Sequence, residues 1–582
     1  MAEERTEPRE INFRQMLPWT ELFRSFQVAL DPKKLLMAAG GILVMAFWWW
    51  VWSWAFYSLA TKPEWGRTGP ADWGEFQQDR RKWNVLHEAA GKDVEYTDAN
   101  DLARNPEEFD KINAPVQAAI SAIAKNPKAS EFQTADGKIP IEGRPDGYHL
   151  MLDDQPYVIR AKPFGALRTL PWDEDRGPNP YLLVTGRAGP QWEAGRFWEW
   201  LFTKQLPVLI EPLIKFLKPV VYLFDPNAGL LNRIYFLIVV LGTLATWAFF
   251  GGAITRMAAV QVARNEKITL TDAVKFVCAR YVSFLTAPPF PLAFVAVMVV
   301  LLAIFGLIHM IPIFGEIWDG LLWPLVLLAG LAMAVVLVGL VGWPMMYATI
   351  STEGSDSFDA ISRSYSYVYQ SPWHYVWYCV VALAYGAVVV FFVGFMGSLI
   401  VFLGKWGMSV GTWPARDPAF LFLGAPTSFG WRALLLEGSA AIGELSWWNY
   451  IGVALVSIWL GLVFLLILGF GYSYFWTATT IIYLLMRRKV DDTDMDEVYL
   501  EEDEGEESYS ASTMMPAPSE PAAAGPSVTM IESPTLRSTG PPPAGHEPAA
   551  EAPAGAPGNP AGHETPSPAA GEDGSKPAAG PA

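Results

Sequence analysis

"LLMAAGGILVMAFWWWVWSWAFYSLA", Leu35 to Ala60, runs for 26 residues without a charged side chain. As a helix it is about 39 Å long, more than the roughly 30 Å of hydrocarbon in a bilayer, so it predicts a transmembrane span. Five further apolar stretches read the same way: Ile234 to Thr255, Pro291 to Ile311, Leu321 to Ala348, Tyr375 to Gly404, and a long one within Trp448 to Met486. With 52% apolar residues and a mean hydropathy of +0.21, the expected fold is an all-α polytopic membrane bundle of six transmembrane helices.

The first stretch carries Trp48, Trp49, Trp50, Trp52 and Trp54. At about 100° per residue Trp48 and Trp52 share one face, Trp50 and Trp54 the opposite one, and Trp49 lies between, so no single stripe lines a pocket. Indoles favour the membrane interface. The reading is an interfacial anchor that packs against an outer domain, weighed above an aromatic cage for a cationic headgroup. A secretion signal cleaved after Ala60 is disfavoured, because the apolar run far exceeds a signal core of about 7 to 15 residues.

Basic residues set the orientation. Arg5, Arg9, Arg14, Arg24, Lys33 and Lys34 precede the first span, Arg256, Arg264, Lys267, Lys275 and Arg280 follow the second, Arg363 follows the fourth, and Arg487, Arg488 and Lys489 follow the sixth. The opposite side has only Lys405, Arg416 and Arg432 in its short loops. The positive-inside bias makes both termini cytoplasmic and sends residues 61–233 outside as one insertion. There, "DWGEFQQDRRKWNVLHEAA" (Asp72–Ala90) and "APVQAAISAIAKN" (Ala114–Asn126) read as helices, while "GYHLMLDDQPYVIRAKPFGALRTLPW" (Gly147–Trp172) and "PYLLVTG" (Pro180–Gly186) read as short strands. The insertion is thus an extracytoplasmic α+β domain. "QLPVLIEPLIKFLKPVVYLF" (Gln205–Phe224) is broken by Pro207, Pro212 and Pro219 and carries Glu211, Lys215 and Lys218, which suits a helix on the outer surface better than a seventh span.

The domains expected are residues 1–60 (cytoplasmic amphipathic helix and first span), 61–233 (outer domain), 234–489 (spans two to six) and 490–582 (tail). The net charge of −17 belongs to the tail, which holds 18 acidic residues against Arg537 and Lys576. The tail turns Pro-, Ala- and Gly-rich and has little to bury, so disorder is expected. Cys278 and Cys379, the only cysteines, lie outside the outer domain and cannot bridge it.

A threefold pattern precedes the outward-going spans. "TELFRSFQVALDP" (Thr20–Pro32), "TDAVKFVCARYVSFLTAPP" (Thr271–Pro289) and "SFDAISRSYSYVYQSP" (Ser357–Pro372) each put apolar residues on one helical face and end at proline. Each carries an arginine, Arg24, Arg280 and Arg363. One reading is a repeated unit of in-plane helix plus hairpin of two spans; coincidence is the alternative. On such helices the arginines suit contacts with lipid phosphate, against the plainer role of positive charges that fix orientation.

"ATISTEGSDSFDAISRSYSYVYQSPWHYVWY" (Ala348–Tyr378), with its Glu-Gly, Asp-Ala-Ile and Arg-Ser elements, resembles a segment of bacterial six-helix membrane families that include the membrane domain of some glycerophosphoryl diester phosphodiesterases. The resemblance implies a bacterial membrane domain. It implies no hydrolase, since no phosphodiesterase domain accompanies it.

Chemistry is sparse. The spans are nearly free of ionisable residues, which disfavours an ion-coupled pump, and His309 and His374 lie at span ends. Asp173, Glu174 and Asp175 in "PWDEDRGPNP" (Pro171–Pro180) suggest a solvated turn before a calcium loop. No zinc-hydrolase, serine-hydrolase or nucleotide-loop motif is present. No catalytic residue, cofactor or metal is therefore assigned. The expected partners are membrane lipids, with proteins met through the outer domain and the tail, and no nucleic acid. The function expected is a non-enzymatic envelope scaffold or assembly subunit of a bacterial inner membrane. The alternatives are a transporter, or transporter subunit, for lipid or a small apolar molecule, and a membrane enzyme with its site in the outer domain. Reporters fused after Gly137 and after Arg488 should read opposite sides of the membrane; the same side for both would break this topology.

Overall fold

Among the described residues of the computed structural model, six helices are long and apolar enough to cross a membrane: Pro32–Leu59, Leu230–Arg264, Pro289–His309, Phe314–Glu353, Pro372–Thr412 and Trp447–Val490. The structure describes residues 17–126, 131–134, 137–152, 155–189, 194–412, 418–437 and 445–500, with the side chains of 132–139 left aside, and all of these lie in one compact unit. The expected tail falls outside the described residues from 501 onward. Residues 490–500 of it do not, and Val498 among them is buried.

The first, second and sixth spans form the centre. Small residues let them approach: Gly41 of the first span faces Phe250 and Trp247 of the second, and Gly469 of the sixth lies against the Leu35 carbonyl and Ala38. Aromatic rings fill the middle. Trp247 stacks on Tyr472 at 5.0 Å, and Tyr347 of the fourth span stacks on Trp476 at 5.0 Å. Hydroxyls buried here find partners, as with Ser53 and Tyr235 at 2.7 Å and Thr255 and Ser351 at 2.6 Å.

The fourth span changes role along its length. Phe314–Gly339 pairs with the third span, and both leave much of their apolar surface uncovered. After a tight turn at Leu340–Gly342 the helix resumes as Trp343–Glu353 and is buried in the bundle from Met345 to Thr352. It stops at Gly354, whose φ of 65° is left-handed.

Short helices precede the first, third and fifth spans: Pro18–Phe23 with Arg24–Ala29, Leu270–Ala279 with Tyr281–Thr286, and Ser357–Gln370. The second of these bends at Arg280.

After the first span, two long helices lead into a sheet. Trp73–Ala90 is capped by Asp72 and Pro106–Lys125 by Asn105, each side chain accepting from a first-turn N–H. Strands β1 (Glu131–Thr134), β2 (Gly137–Arg144), β3 (Gly147–Leu152) and β4 (Gln155–Ile159) follow in antiparallel order. Ile141, Leu150 and Ile159 meet Phe109, Ile112 and Val116 in the core. β3 and β4 fall where the alternating pattern predicts them, whereas 160–172 of the same stretch is loop and turn apart from an isolated bridge at Ala161. "PYLLVTG" does not form a strand: Asn179 caps a short helix, Pro180–Val184, by accepting from Tyr181 and Leu182 N–H, with Pro180 in the first turn.

A buried charge cluster stiffens this region. Arg80, 1% exposed, bonds Asp98 at 2.9 and 3.0 Å and Asp101 at 2.9 and 3.1 Å. Burial opposes ionisation of Asp101, but its bonds to Arg80 and the Lys162 ammonium outweigh that and hold the carboxyl below the ordinary carboxylate range. Burial also lowers the pKa of Lys162.

A methyl group on Gly242 would lie 1.8 Å from Trp48 Nε1, which donates to the Ile238 carbonyl at 3.1 Å. Gly242→Ala should therefore cost about 1–3 kcal/mol of stability, read as a lower melting temperature of the purified protein. Gly404→Ala, with nothing within 4 Å of the added methyl, should not, and adding Gly242→Ala to Trp48→Ala should cost much less.

Candidate functional site

Charges enter the bundle from a segment that is not itself a span. Ala194–Trp200, a wider π-helical turn at Leu201–Gln205 and Leu206–Leu209 run along the fifth span. Pro207 has no N–H to give to residue 203, a local cause for the widened turn. Trp200 meets Phe391 at 5.7 Å, Gln205 Nε2 donates to the Ala387 carbonyl at 3.0 Å, and Leu209 fills the space beside Gly386. The chain then turns at Ile210 and returns as Glu211–Leu223 along the second span, with Phe216 stacked on Trp343 at 5.1 Å and Tyr222 on Phe236 at 5.4 Å. Gly386 lies about 21 Å along the fifth span from Pro372, so the turn of this V is set between spans. The proline-broken stretch that reads as a surface helix in the sequence folds inward here, with Glu211, Pro212 and Lys215 buried.

What makes this tolerable is a matching set of charges. Arg176, from the loop after the sheet, forks onto Glu211 through Nε and Nη2, both at 2.7 Å. Its other N–H groups reach Glu174 at 3.0 Å, Ser428 Oγ at 2.9 Å and the Pro171 carbonyl. All five guanidinium donors are thereby used. Tyr472 of the sixth span donates to Glu211 at 3.2 Å, Lys215 pairs with Glu174, and the Lys215 ammonium stands 5.3 Å from the Trp49 ring centroid. Arg176, Lys215, Glu174 and Glu211 together sum to zero. Backbone bonds from Thr427 and Ser428 to the Trp172 carbonyl, and Asn179 Nδ2 to Ser398 Oγ at 3.1 Å, tie the same loop to the fifth span and its following loop.

The cluster has no spare acid, base or open ligand position. Its chemistry is that of a clamp. Glu174 and Asp175 are engaged by cations, Asp175 by Lys204 at 2.8 Å, and among the described residues no three His, Cys, Asp or Glu side chains are grouped to hold a metal.

The tryptophans divide as their spacing predicts. Trp49 is buried, with Nε1 donating to Thr243 Oγ1 at 2.8 Å, and Trp48 packs on Trp52 at 5.6 Å, whereas Trp50 and Trp54 are exposed. Two of the three arginines come together at the far end of the bundle. Arg363 pairs with Glu353 at 3.0 Å and Asp359 at 3.2 Å, and Arg280 donates to the carbonyl of the adjoining Gly354 at 3.0 Å. Burial opposes the charge on Arg363, but Glu353 and Asp359 outweigh it and raise its pKa above the ordinary value. Arg24 stands apart, paired with Glu21 at 3.1 Å.

No protein-family model, curated protein or solved structure matches this chain. Its function is therefore argued from geometry.

Sequence reasoning singles out Glu211 and Lys215 only as reasons against a span, and Arg176 not at all. The available signal is that "PWDEDRGP" and "EPLIK" each carry both signs of charge next to apolar or proline-rich sequence, since a buried ion must find its counter-ion. Glu211→Gln weakens the fork on a buried guanidinium and should cost about 3–5 kcal/mol, measured by denaturant unfolding in detergent. The paired replacement Arg176→Met with Glu211→Leu should restore most of it.

Proposed function

We propose that this chain is a non-enzymatic scaffold or assembly subunit of a bacterial inner membrane, with both termini in the cytoplasm and residues 61–233 outside. One observation carries the reading: the buried Glu211 and Lys215 that the re-entrant V brings between the spans are each neutralised and hydrogen-bonded within the chain, in an arrangement that fastens the inserted domain to the bundle. A transport mechanism needs a group that changes its charge or its contacts during the cycle. The aromatic stack of Trp247, Tyr472, Trp476 and Tyr347 fills the centre where a conduction path would run.

The hairpin of the third and fourth spans supports the assembly role. It is held to the rest mainly near Tyr365 and Tyr369, whose hydroxyls donate to the Val336 and Val335 carbonyls, and its bare apolar flanks suit a lateral membrane partner as well as lipid. The short helices before spans one, three and five support a three-hairpin plan, with the outer domain inserted in the first. The residues of Ala348–Tyr378 agree with a bacterial membrane origin. An apolar-molecule transporter is the second reading, favoured by the same loosely attached hairpin.

Locking the domain to the bundle separates the two. Asn179→Cys with Ser398→Cys, in a chain whose Cys278 and Cys379 are replaced by serine, places two thiols where a hydrogen bond now joins the fifth span to the loop. A scaffold should complement a strain lacking the protein equally well crosslinked or reduced. Loss of function on crosslinking, recovered with reductant, would overturn the scaffold reading in favour of a moving machine.

A further inference from the structure

At the end of the bundle where the first span begins and the sixth ends, a cleft of about 530 Å³ opens among Arg264, Thr352, Glu353, Arg363, Arg487 and the strap of residues 493–499. Three arginines from three different segments converge on it. The second span delivers Arg264, the helix before the fifth span delivers Arg363, and the sixth span delivers Arg487. The strap forms the remaining wall. Tyr499 N–H donates to the Thr352 carbonyl at 2.8 Å, its ring covers Gly354, and Arg487 Nη2 donates to the carbonyls of Asp494 at 2.9 Å and Glu497 at 2.6 Å.

Two polar atoms in the wall are left over. Arg487 is 4% exposed and Thr352 is fully buried, yet Arg487 Nε and Thr352 Oγ1 have no hydrogen-bond partner. An unmet buried donor costs about 1–3 kcal/mol, so two of them on residues that line one cleft point to a group that is not part of the chain. Arg264 adds an exposed guanidinium with no acidic partner among the described residues. The acids in the wall are Glu353, already engaged by Arg363, Arg487 at 3.6 Å and Tyr483 at 2.5 Å, and the exposed Glu497.

We propose that this cleft binds a phosphate group, with Arg264 and Arg487 Nε as charge-assisted donors and the Thr352 hydroxyl as a third. A tetrahedral oxyanion accepts outside any single plane, whereas the lone pairs of a carboxylate lie in one, and arginine forks match its edges. The volume exceeds that of a bare phosphate and admits a phosphorylated headgroup or a small phosphate ester. The site stands independently of the scaffold reading, since about 22 Å of the sixth span separates Arg487 from Tyr472 of the Arg176 clamp.

The test uses the full chain purified in a zwitterionic detergent without phosphate and stripped of lipid. Inorganic phosphate and dihexanoyl phosphatidic acid are titrated separately by calorimetry, with dihexanoyl phosphatidylcholine as the shielded comparison. Arg264→Gln and Thr352→Val serve as variants, neither of which removes a partnered buried group. Binding of phosphatidic acid alone assigns a lipid headgroup, and binding of inorganic phosphate assigns a soluble source. Either supports the proposal when affinity falls at least about tenfold in both variants while the ligand-free melting temperature holds. No binding by either compound up to about 1 mM, or binding undiminished in the variants, overturns it.

Discussion

A guanidinium buried between helices must have every donor met, and in this protein the Arg176 side chain meets that demand with five acceptor atoms on four residues. The rest of the architecture follows from it. Glu211 can sit at the turn of a V between spans only because Arg176 and Tyr472 hold its carboxylate, and Lys215 can follow it only because Glu174 and the Trp49 ring receive the ammonium. Broken proline segments inside a membrane protein are stable when other protein covers their backbone. Here the fifth span, the second span and the loop around Ser428 do so.

The six spans are legible in the sequence because length and the absence of charge are one-dimensional properties. Their ends are less so: the fourth runs from Phe314 to Glu353, and its last turns look like connecting loop until Met345–Thr352 are seen buried against Trp476 and Thr255. The faces of the tryptophan helix are equally legible, since 100° per residue decides which indoles share a side, while the inward turn of Trp49 comes from its packing on the second span. Strands β1 and β2 escape notice because "EFQTADGKIPIEGR" alternates weakly and contains proline. Pro180–Val184 reads as a strand by composition and becomes helix because Asn179 caps it, a case of local capping outweighing propensity.

Both polar sites are hidden for a different reason. Their members are far apart in sequence, with Glu211 and Tyr472 261 positions apart, and no spacing rule links them. Arg280 and Arg363 are visible as a recurring residue type, but Arg487 and Thr352 gain their meaning from Gly354, where the left-handed turn lets Tyr499 of the strap close over the chain. A single strap thus converts the ends of three segments into one recess.

The re-entrant V also bears on how the molecule is made. Its partner Tyr472 belongs to the sixth span, and the same helix donates from Ser473 Oγ to the Ala29 carbonyl and packs Gly469 on the start of the first. Until that span is made, Glu211 lacks its third donor and the first span lacks one of its two central neighbours. The first span and the V are thus completed by the same, later-synthesised helix.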